Sequence, residues 1–425
     1  EKQSGYFEGI VFSTTMKHQK PNSQRRDKSK SKSKSCWSEL PQDLLNSVLE
    51  RLEYSDSRRA ESVCSSWYSA AKRCLAKKQI PWLIILPDEG DKINNHWCKL
   101  FNPGEKDKLY KIRDEGVEFA YSYCLATYGN WLFMVDCWYN LFLLNLFTHE
   151  RIDLPPVESQ LGTIKLERTR KGWFCMSNGH RKRNCKDIEI GSPVFWIDQH
   201  TKEYLVLWGF GQWCVAYSKK GDEFWSQIQI PVVYGSSHMV YKDEKLYYLL
   251  NDYSGSNGFI KIFDFSGEIP QETFNCGGVP SNNSSLHPTP RNSWRINGAK
   301  LAVTATGGDV LYVEKWAMPF TSLWSFRVYK VYSSGFFNEY EQVDSLGNEA
   351  LLFDLGITVL ANDDIVGFKR NSIYFRTTWD REENTTQICL FNFETKEMEP
   401  LHKFDCSSPL QLARTLWFLP SFKQT

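Results

Sequence analysis

The chain lacks the sequence signs of several common functional classes. None of its twelve cysteines form a C-x-x-C pair, and no apolar run approaches the roughly 20 residues that span a bilayer. The motifs G-x-S-x-G, H-E-x-x-H and G-x-x-x-x-G-K are also missing. These absences argue against a zinc module, a transmembrane helix and a motif-bearing hydrolase or nucleotide-binding enzyme. Cysteines in apolar runs indicate a reducing compartment, so we expect the nucleus, the cytoplasm or both.

Net charge is also nearly absent, but the charges are unevenly distributed. Between Lys17 and Lys34 there are eight Lys or Arg residues and a single acidic residue, Asp27, whereas the rest of the chain has 43 basic and 49 acidic residues. A mildly acidic remainder argues against nucleic-acid binding. We expect residues 1–36 to form a disordered basic arm in which residues 1–15 have no structural role. The arm is a nuclear import signal, a weak contact to an anionic partner or a solvated tail.

Most of the chain has the pattern of β-sheet. It contains 16 Trp, 20 Tyr and 27 Phe, and aromatic side chains suit a pleated, half-buried surface. From Ile80 onward apolar and polar residues alternate in short runs with turn residues between them. Five groups of such runs cover residues 123–154, 193–230, 238–274, 300–343 and 351–393. Groups of this length, repeated along the chain, predict a β-propeller of about six degenerate blades.

The two ends of the sheet region predict how the ring closes. Strand-like runs at Trp82–Leu86, His96–Phe101 and Lys108–Ile112 precede the first group, and Leu416–Pro420 follows the last. Pairing these runs would complete a blade with strands from both ends of the chain. The segment Thr169–Ile190 is rich in Arg and Lys and fits no strand pattern, so we expect a loop insertion there.

Residues 37–67 have a helical period instead. Pro41 suits a first helical turn, and a helical segment of about 40 residues rarely buries enough surface to be stable alone. Its apolar face is therefore expected to dock on a partner or on the domain behind it. The apolar positions that recur at helical spacing, which we expect on one helix face, are Leu40, Leu44, Leu45, Val48, Leu49 and Leu52, followed by Val63, Cys64 and Trp67 on a second helix.

This segment resembles the F-box. The match consists of Leu40-Pro41, the Asp43-Leu44-Leu45 step, the Val48-Leu49-x-x-Leu52 ridge and the Val63-Cys64-x-x-Trp67 close. F-box segments bind the adaptor subunit of a cullin-type ubiquitin ligase. The resemblance implies an F-box at residues 37–79 whose adaptor-binding or bracing residues are Leu40, Pro41, Leu44, Leu45, Val48, Leu49, Leu52, Val63, Cys64 and Trp67.

The rest of the chain resembles a plant-specific F-box family, the KIB-type proteins, in which a propeller-like domain follows the F-box. The resemblance implies a small all-α F-box head followed by an all-β, kelch-like propeller at residues 80–425. It implies a non-catalytic substrate-recognition subunit of an SCF-type ligase, which binds the ligase adaptor and an unknown client without cofactor, metal, nucleic acid or membrane. The matched residues include Phe326, Val328, Lys330, Val343, Ser345, Leu346, Gly347, Ala350, Leu351, Gly356, Ile373, Tyr374, Phe375, Trp417, Phe418 and Pro420.

Two other interpretations remain open from the residues alone. A propeller enzyme, a hydrolase or an oxidase, would carry acidic and basic clusters on its central channel, and a scaffold protein would pack its head internally. Cys175, His180 and Cys185 do not have the spacing of known zinc ligands, so no metal is expected. Loops on rigid scaffolds often carry recognition, so the expected client-binding loops are Ser254–Gly258, Asn275–Asn297 and Trp379–Thr386.

Overall fold

After a short strand at Tyr6–Phe7, the described chain continues with helices, and strands make up nearly all of the rest. Among all described residues, no helix has the length and apolar character needed to cross a bilayer. The computed structural model describes residues 6–7, 37–52, 54–77, 81–87, 97–102, 109–113, 119–170, 172–179, 181–210, 213–230, 234–252, 258–277, 294–319, 321, 323–334, 337–361, 368–378, 385–405 and 415–419.

Three helices form the head: α1 (Gln42–Leu49), α2 (Tyr54–Ala60) and α3 (Ser65–Lys77), preceded by a 3₁₀ turn at Trp37–Glu39. The carbonyl of Pro41 accepts the first helical hydrogen bond of α1, from the Leu45 N–H at 3.0 Å. Trp67 Nε1 donates to the Trp37 carbonyl at 3.0 Å, which ties the 3₁₀ turn to α3. The head therefore has its own small core, made of Leu45, Leu49, Ala60, Trp67, Ala70, Ala71 and Cys74.

The first sheet contains strands from both ends of the chain. Its strand order is β1-β4-β3-β2-β30, and β30 runs antiparallel to β2 with Trp417 opposite Leu83. The predicted closure is therefore confirmed. Tyr6 and Phe7 pair in parallel with β4, so the expectation that residues 1–15 have no structural role is wrong for these two, because the outer edge of β4 offers unpaired backbone groups. The strands are β1 (Tyr6–Phe7), β2 (Trp82–Ile85), β3 (Trp97–Phe101), β4 (Leu109–Arg113) and β30 (Thr415–Phe418).

The next two sheets include the segment that the sequence assigned to a loop. After a 3₁₀ turn at Phe119–Tyr121 comes the four-stranded sheet β5 (Ser122–Tyr128), β6 (Trp131–Asp136), β7 (Leu141–Asn145) and β8 (Arg151–Asp153). A three-stranded antiparallel sheet follows, made of β10 (Lys165–Arg168), β11 (Phe174–Ser177) and β12 (Lys182–Cys185). The expectation of a loop at 169–190 is wrong, because Leu166 and Phe174 bury one face of this small sheet against the neighbouring core.

Two more sheets repeat the four-stranded antiparallel order. The first of them also takes β9 (Gln160–Leu161), which pairs in parallel with its last strand. Their strands are β13 (Ile190–Ile197), β14 (Tyr204–Phe210), β15 (Cys214–Lys219) and β16 (Trp225–Gln229), then β17 (Tyr234–Lys242), β18 (Lys245–Asp252), β19 (Gly258–Asp264) and β20 (Gln271–Gly277).

The last two predicted groups are joined in one nine-stranded sheet. Its order is β24-β23-β22-β21-β26-β25-β27-β28-β29, with β25 parallel to β27 and a single parallel pair, Val303 with Ile357, between β21 and β26. The strands are β21 (Arg295–Val303), β22 (Val310–Ala317), β23 (Trp324–Ser334), β24 (Phe337–Val343), β25 (Glu349–Leu352), β26 (Ile357–Leu360), β27 (Ser372–Thr378), β28 (Thr385–Asn392) and β29 (Met398–Asp405).

Successive sheets pack face to face through apolar clusters. The final cluster joins Ile388 of β28 to Leu83, Phe101 and Trp417 of the first sheet, so the series of sheets closes into a ring. The strands β5, β13, β17, β21 and β30 surround a cavity of about 800 Å³ together with the turn between β25 and β26. Thr127 Oγ1 of β5 donates to the Trp417 carbonyl at 2.8 Å across this closure.

Candidate functional site

The head exposes an apolar ridge on α1 that its own core does not use. Pro41, Leu44 and Val48 recur at helical spacing and all lie exposed, with Leu44 55% and Val48 36% accessible. Val63, between α2 and α3, is 57% exposed. These four residues, which we call the head ridge, are apolar side chains without a covering surface among the described residues.

The other sequence-predicted head residues point inward. Leu45, Leu49 and Trp67 are buried in the head core, and Leu40, Leu52 and Cys64 pack against it partly buried. The structure thus divides the apolar positions of α1 between two faces. The adaptor-binding role of the ten residues stays a prediction, in which the buried ones would hold the head ridge in position.

Two exposed aromatic side chains in the head were missed by the sequence analysis. Trp37 is 67% exposed, although its carbonyl is fixed by Trp67 Nε1, and Tyr68 on α3 is also exposed. The signal that could have revealed this surface was the large aromatic side chain of Trp37 at the start of the helical segment. Both residues are candidates for the rim of a surface that includes the head ridge.

A second candidate site lies at the central cavity, around the Asp354 carboxylate. Its Oδ2 accepts hydrogen bonds from Trp417 Nε1 at 2.8 Å and from Arg376 Nε at 3.2 Å, and its Oδ1 lies 3.6 Å from Lys300 Nζ. Burial opposes ionisation, but the charges of Arg376, Lys300 and Lys315 outweigh it and hold the pKa of Asp354 well below its usual range. Asp354 is therefore ionised at neutral pH.

Two lysines share the ring of Phe353 beside this carboxylate. Lys300 Nζ and Lys315 Nζ lie 5.2 and 5.4 Å from the ring centroid. Burial lowers the pKa of both ammonium groups, and Asp354 acts in the opposite direction on each. The aromatic face offsets part of the cost of removing these charges from water.

His238 also lines the cavity. Its Nδ1 accepts the Leu301 N–H at 3.2 Å, which leaves the ring proton on Nε2. Burial, and then the Lys300 charge, hold the pKa of His238 well below its ordinary value, so the ring is neutral. Gly356 lies directly against it at φ 68°, where an added Cβ would come within 2.6 Å of His238 Cε1 and 2.7 Å of the Leu301 carbonyl oxygen. A side chain at position 356 would displace the histidine.

The groups of this cluster bind one another and the backbone. Asp354 Oδ2 accepts from Trp417 and Arg376, its Oδ1 lies near Lys300, and His238 Nδ1 accepts a backbone N–H. Arg376 also donates to the Thr415 carbonyl. The cluster therefore ties β21, β27 and β30 to the turn after β25. Among the described residues, no group of three His, Cys, Asp or Glu side chains could hold a metal ion.

The loops predicted to bind a client fall largely outside the described residues. The parts concerned are 254–257, 278–293 and 379–384, and His180 and most of the basic arm also lie outside the described residues.

A pH dependence of stability follows from the neutral His238. The unfolded histidine takes up a proton below about pH 6.5, whereas the folded one does not, so the free energy of unfolding should fall as the pH drops from 7 to 5. Urea unfolding of wild type and His238→Gln at several pH values measures this contribution. We expect the free energy of unfolding to depend less steeply on pH in His238→Gln than in wild type. If the free energy of unfolding depends on pH equally in wild type and His238→Gln, His238 is not held neutral in the folded protein.

Both parts of the chain match known families. Residues 37–79 match the F-box domain, and residues 100–392 match the family described as the KIB1-4 beta-propeller. An Arabidopsis thaliana F-box protein, At4g22660, is 49% identical over 404 residues, which cover 93% of this chain and 100% of the relative. Another from the same plant, At4g22165, is 51% identical over 393 residues, covering 92% and 98%. Similarity to solved structures is remote. The N-terminal domain of Nup159 is 9% identical, with a TM-score of 0.29, and the alignment covers 65% of this chain and 61% of the Nup159 chain.

Proposed function

Because the chain belongs to the plant F-box proteins that carry a KIB1-4 beta-propeller, we propose that it is the substrate-recognition subunit of an SCF-type ubiquitin ligase. F-box proteins generally have this role. The observation that supports it in this chain is the exposed head ridge beside a head core that is complete without it.

The head ridge has the properties of a docking surface. Leu44 and Val48 lie one helical turn apart on α1, and Pro41 continues the same side toward the start of the helix. An exposed apolar strip of this kind is costly to leave in water and is typical of protein interfaces. A few large side chains in such a surface supply most of the binding free energy. Leu45, Leu49 and Trp67 would act indirectly, by fixing α1 against α3.

We also propose that the sheet region is a kelch-like ring of six blades. Six successive sets of strands support this count: β30 with β2–β4, β5–β8, β13–β16, β17–β20, β21–β24 and β25–β29. Each set contributes residues to the lining of the central cavity. Radial repetition of this kind leaves only short sheet edges and provides a rigid frame for recognition loops.

The cluster around Asp354 supplies the acidic and basic groups that the enzyme interpretation predicts on the central channel. Asp354 binds Arg376, Lys300 and Trp417, however, and a propeller enzyme does not explain the F-box, so we favour an adaptor. An adaptor needs no chemistry of its own. It holds client lysines near a charged ubiquitin carrier and so raises their effective concentration.

A reducing compartment is part of the same proposal. All ten cysteines described by the structure carry free thiols, as expected for a protein of the nucleus or the cytoplasm.

Co-expression with a plant ligase adaptor tests the proposal. We expect the full chain and the adaptor to elute from size exclusion as one complex, and we expect the complex to support ubiquitin transfer when the cullin and the ubiquitin carrier are added. A propeller enzyme or a free-standing scaffold would leave the adaptor in a separate peak, and that result would overturn the proposal. Proximity labelling with and without ligase inhibition would then identify clients as proteins that accumulate under inhibition.

A further inference from the structure

The three-stranded sheet β10–β12 carries a concentration of positive charge that the fold does not use. Residues 165–186 contain eight Lys or Arg residues and one Glu. Arg168 is engaged, since its Nε lies 2.7 Å from Glu158 Oε1 and its guanidinium covers the Phe174 ring. The remaining basic residues of the strand β12 and its flanks form no ion pair within the described chain and lie exposed: Arg181, Lys182, Arg183 and Lys186.

The strand β12 is also the last strand of its sheet. The sheet order is β10-β11-β12, and within the described residues nothing pairs with the outer side of β12. The Asn178 N–H donates to the Arg181 carbonyl at 3.2 Å, which fixes Arg181 as a hydrogen-bonded position of the β11–β12 pair. Backbone groups alternate in direction along an antiparallel strand. Those of Arg183 therefore point to β11, and those of Lys182 and Asn184 point outward.

The outer side of β12 thus combines free backbone groups with basic side chains. Extended peptides bind exposed sheet edges through backbone hydrogen bonds, and side chains of alternate residues give the specificity. Successive side chains of an added strand would face Lys182 on one side of the sheet and Arg181 and Arg183 on the other. Trp173, 48% exposed, lies at the Lys186 end of the edge, because Phe174 pairs with Cys185 in the register. It offers an apolar contact where the strand ends.

We propose that the outer edge of β12 binds an extended acidic segment of the client protein by strand addition. The client is the occupant only if the adaptor role proposed above holds. The charge complementarity is local, because the rest of the chain outside the basic arm is mildly acidic and would repel such a segment elsewhere. An open sheet edge with outward amide and carbonyl groups matches a polypeptide backbone, whereas a nucleic acid has no ladder of groups to pair with it.

The experiment uses the full chain in complex with the ligase adaptor. The probe is a fluorescein-labelled peptide of alternating Glu and Thr, and binding is followed by fluorescence anisotropy. A Lys-Thr peptide and a single-stranded oligothymidine serve as comparison ligands. We expect the Glu-Thr peptide to bind, to weaken as salt is added, and to bind better than either comparison ligand.

Three variants separate charge from backbone pairing. Lys182→Glu/Arg183→Glu should weaken binding of the Glu-Thr peptide by at least about tenfold. Asn184→Pro keeps every charge but removes an outward N–H that the β11–β12 pair does not use, and it should also weaken binding. The matched control Lys245→Glu/Arg370→Glu makes the same charge change at exposed sites outside this sheet and should leave binding unchanged.

The outcomes distinguish this proposal from the proposed function. If the adaptor complex forms but the Glu-Thr peptide does not bind, or binds Lys182→Glu/Arg183→Glu equally well, strand addition is wrong and the basic edge only prevents aggregation. Tighter binding of oligothymidine than of the peptide would identify a nucleic-acid surface and would equally overturn it. Failure of wild type to bind the adaptor would instead contradict the ligase role.

Discussion

Trp417→Ala is expected to lower the free energy of unfolding of the sheet region by about 3–5 kcal/mol. Trp417 is 2% exposed, lies in β30 opposite Leu83 of β2, and packs with Phe101 and Ile388 where the last sheet meets the first. Its Nε1 also donates to Asp354, so the substitution removes a hydrogen bond from a largely buried carboxylate. Both the lost packing and the lost hydrogen bond weaken the contact between the first and last sheets that closes the ring.

Chemical unfolding of the full chain measures this effect. Trp138→Ala is the matched control, since Trp138 is 62% exposed and its loss should change the free energy of unfolding by no more than about 0.5 kcal/mol. Trp417→Phe should fall between wild type and Trp417→Ala, because it keeps an aromatic ring but loses the donor to Asp354. Equal stability of Trp417→Ala and Trp138→Ala would show that β30 does not close the ring.

The closure could be predicted from sequence because it depends on apolar runs. The strands β2 and β30 are strongly hydrophobic segments at opposite ends of the sheet region, and such runs must be buried. The family is confirmed for the same reason, since the F-box and propeller residues form recognisable local patterns. The small sheet β10–β12 escaped prediction because half of its side chains are exposed. Only Leu166 and Phe174 there are buried, too few for an alternating pattern.

Strand order and side-chain partners were less predictable. The parallel pairing of β25 with β27, Ala350 with Ser372, leaves no mark on the hydrophobic pattern, which records burial but not neighbours. The cluster around Asp354 joins residues from distant parts of the chain, so no local sequence motif predicts it. On α1 the adjacent Leu44 and Leu45 are equally hydrophobic. Only the packing of α3 decides that Leu45 is buried and Leu44 is exposed.

The double substitution Leu44→Asp/Val48→Asp is expected to weaken adaptor binding by at least about 100-fold, or roughly 2.7 kcal/mol. Two carboxylates on the head ridge would have to lose their hydration against an apolar partner surface. The head itself should stay folded, because both side chains lie outside its core. Leu49→Asp would be a poor test, since Leu49 is fully buried and a charge there would unfold the head.

The control for this test places the same charge on the same helix. Gln42→Asp/Ser47→Asp adds two carboxylates at exposed polar positions of α1. It should bind the adaptor as wild type does, which separates the effect of apolar contact from that of net charge.

The decisive measurement is the Kd of the adaptor for these three proteins by isothermal titration calorimetry. Wild type and Gln42→Asp/Ser47→Asp should bind with similar Kd values, and Leu44→Asp/Val48→Asp should bind at least about 100-fold more weakly while melting at the same temperature. If Leu44→Asp/Val48→Asp binds the adaptor as tightly as wild type, the head ridge is not the docking surface and the ligase role proposed for this chain loses its structural basis.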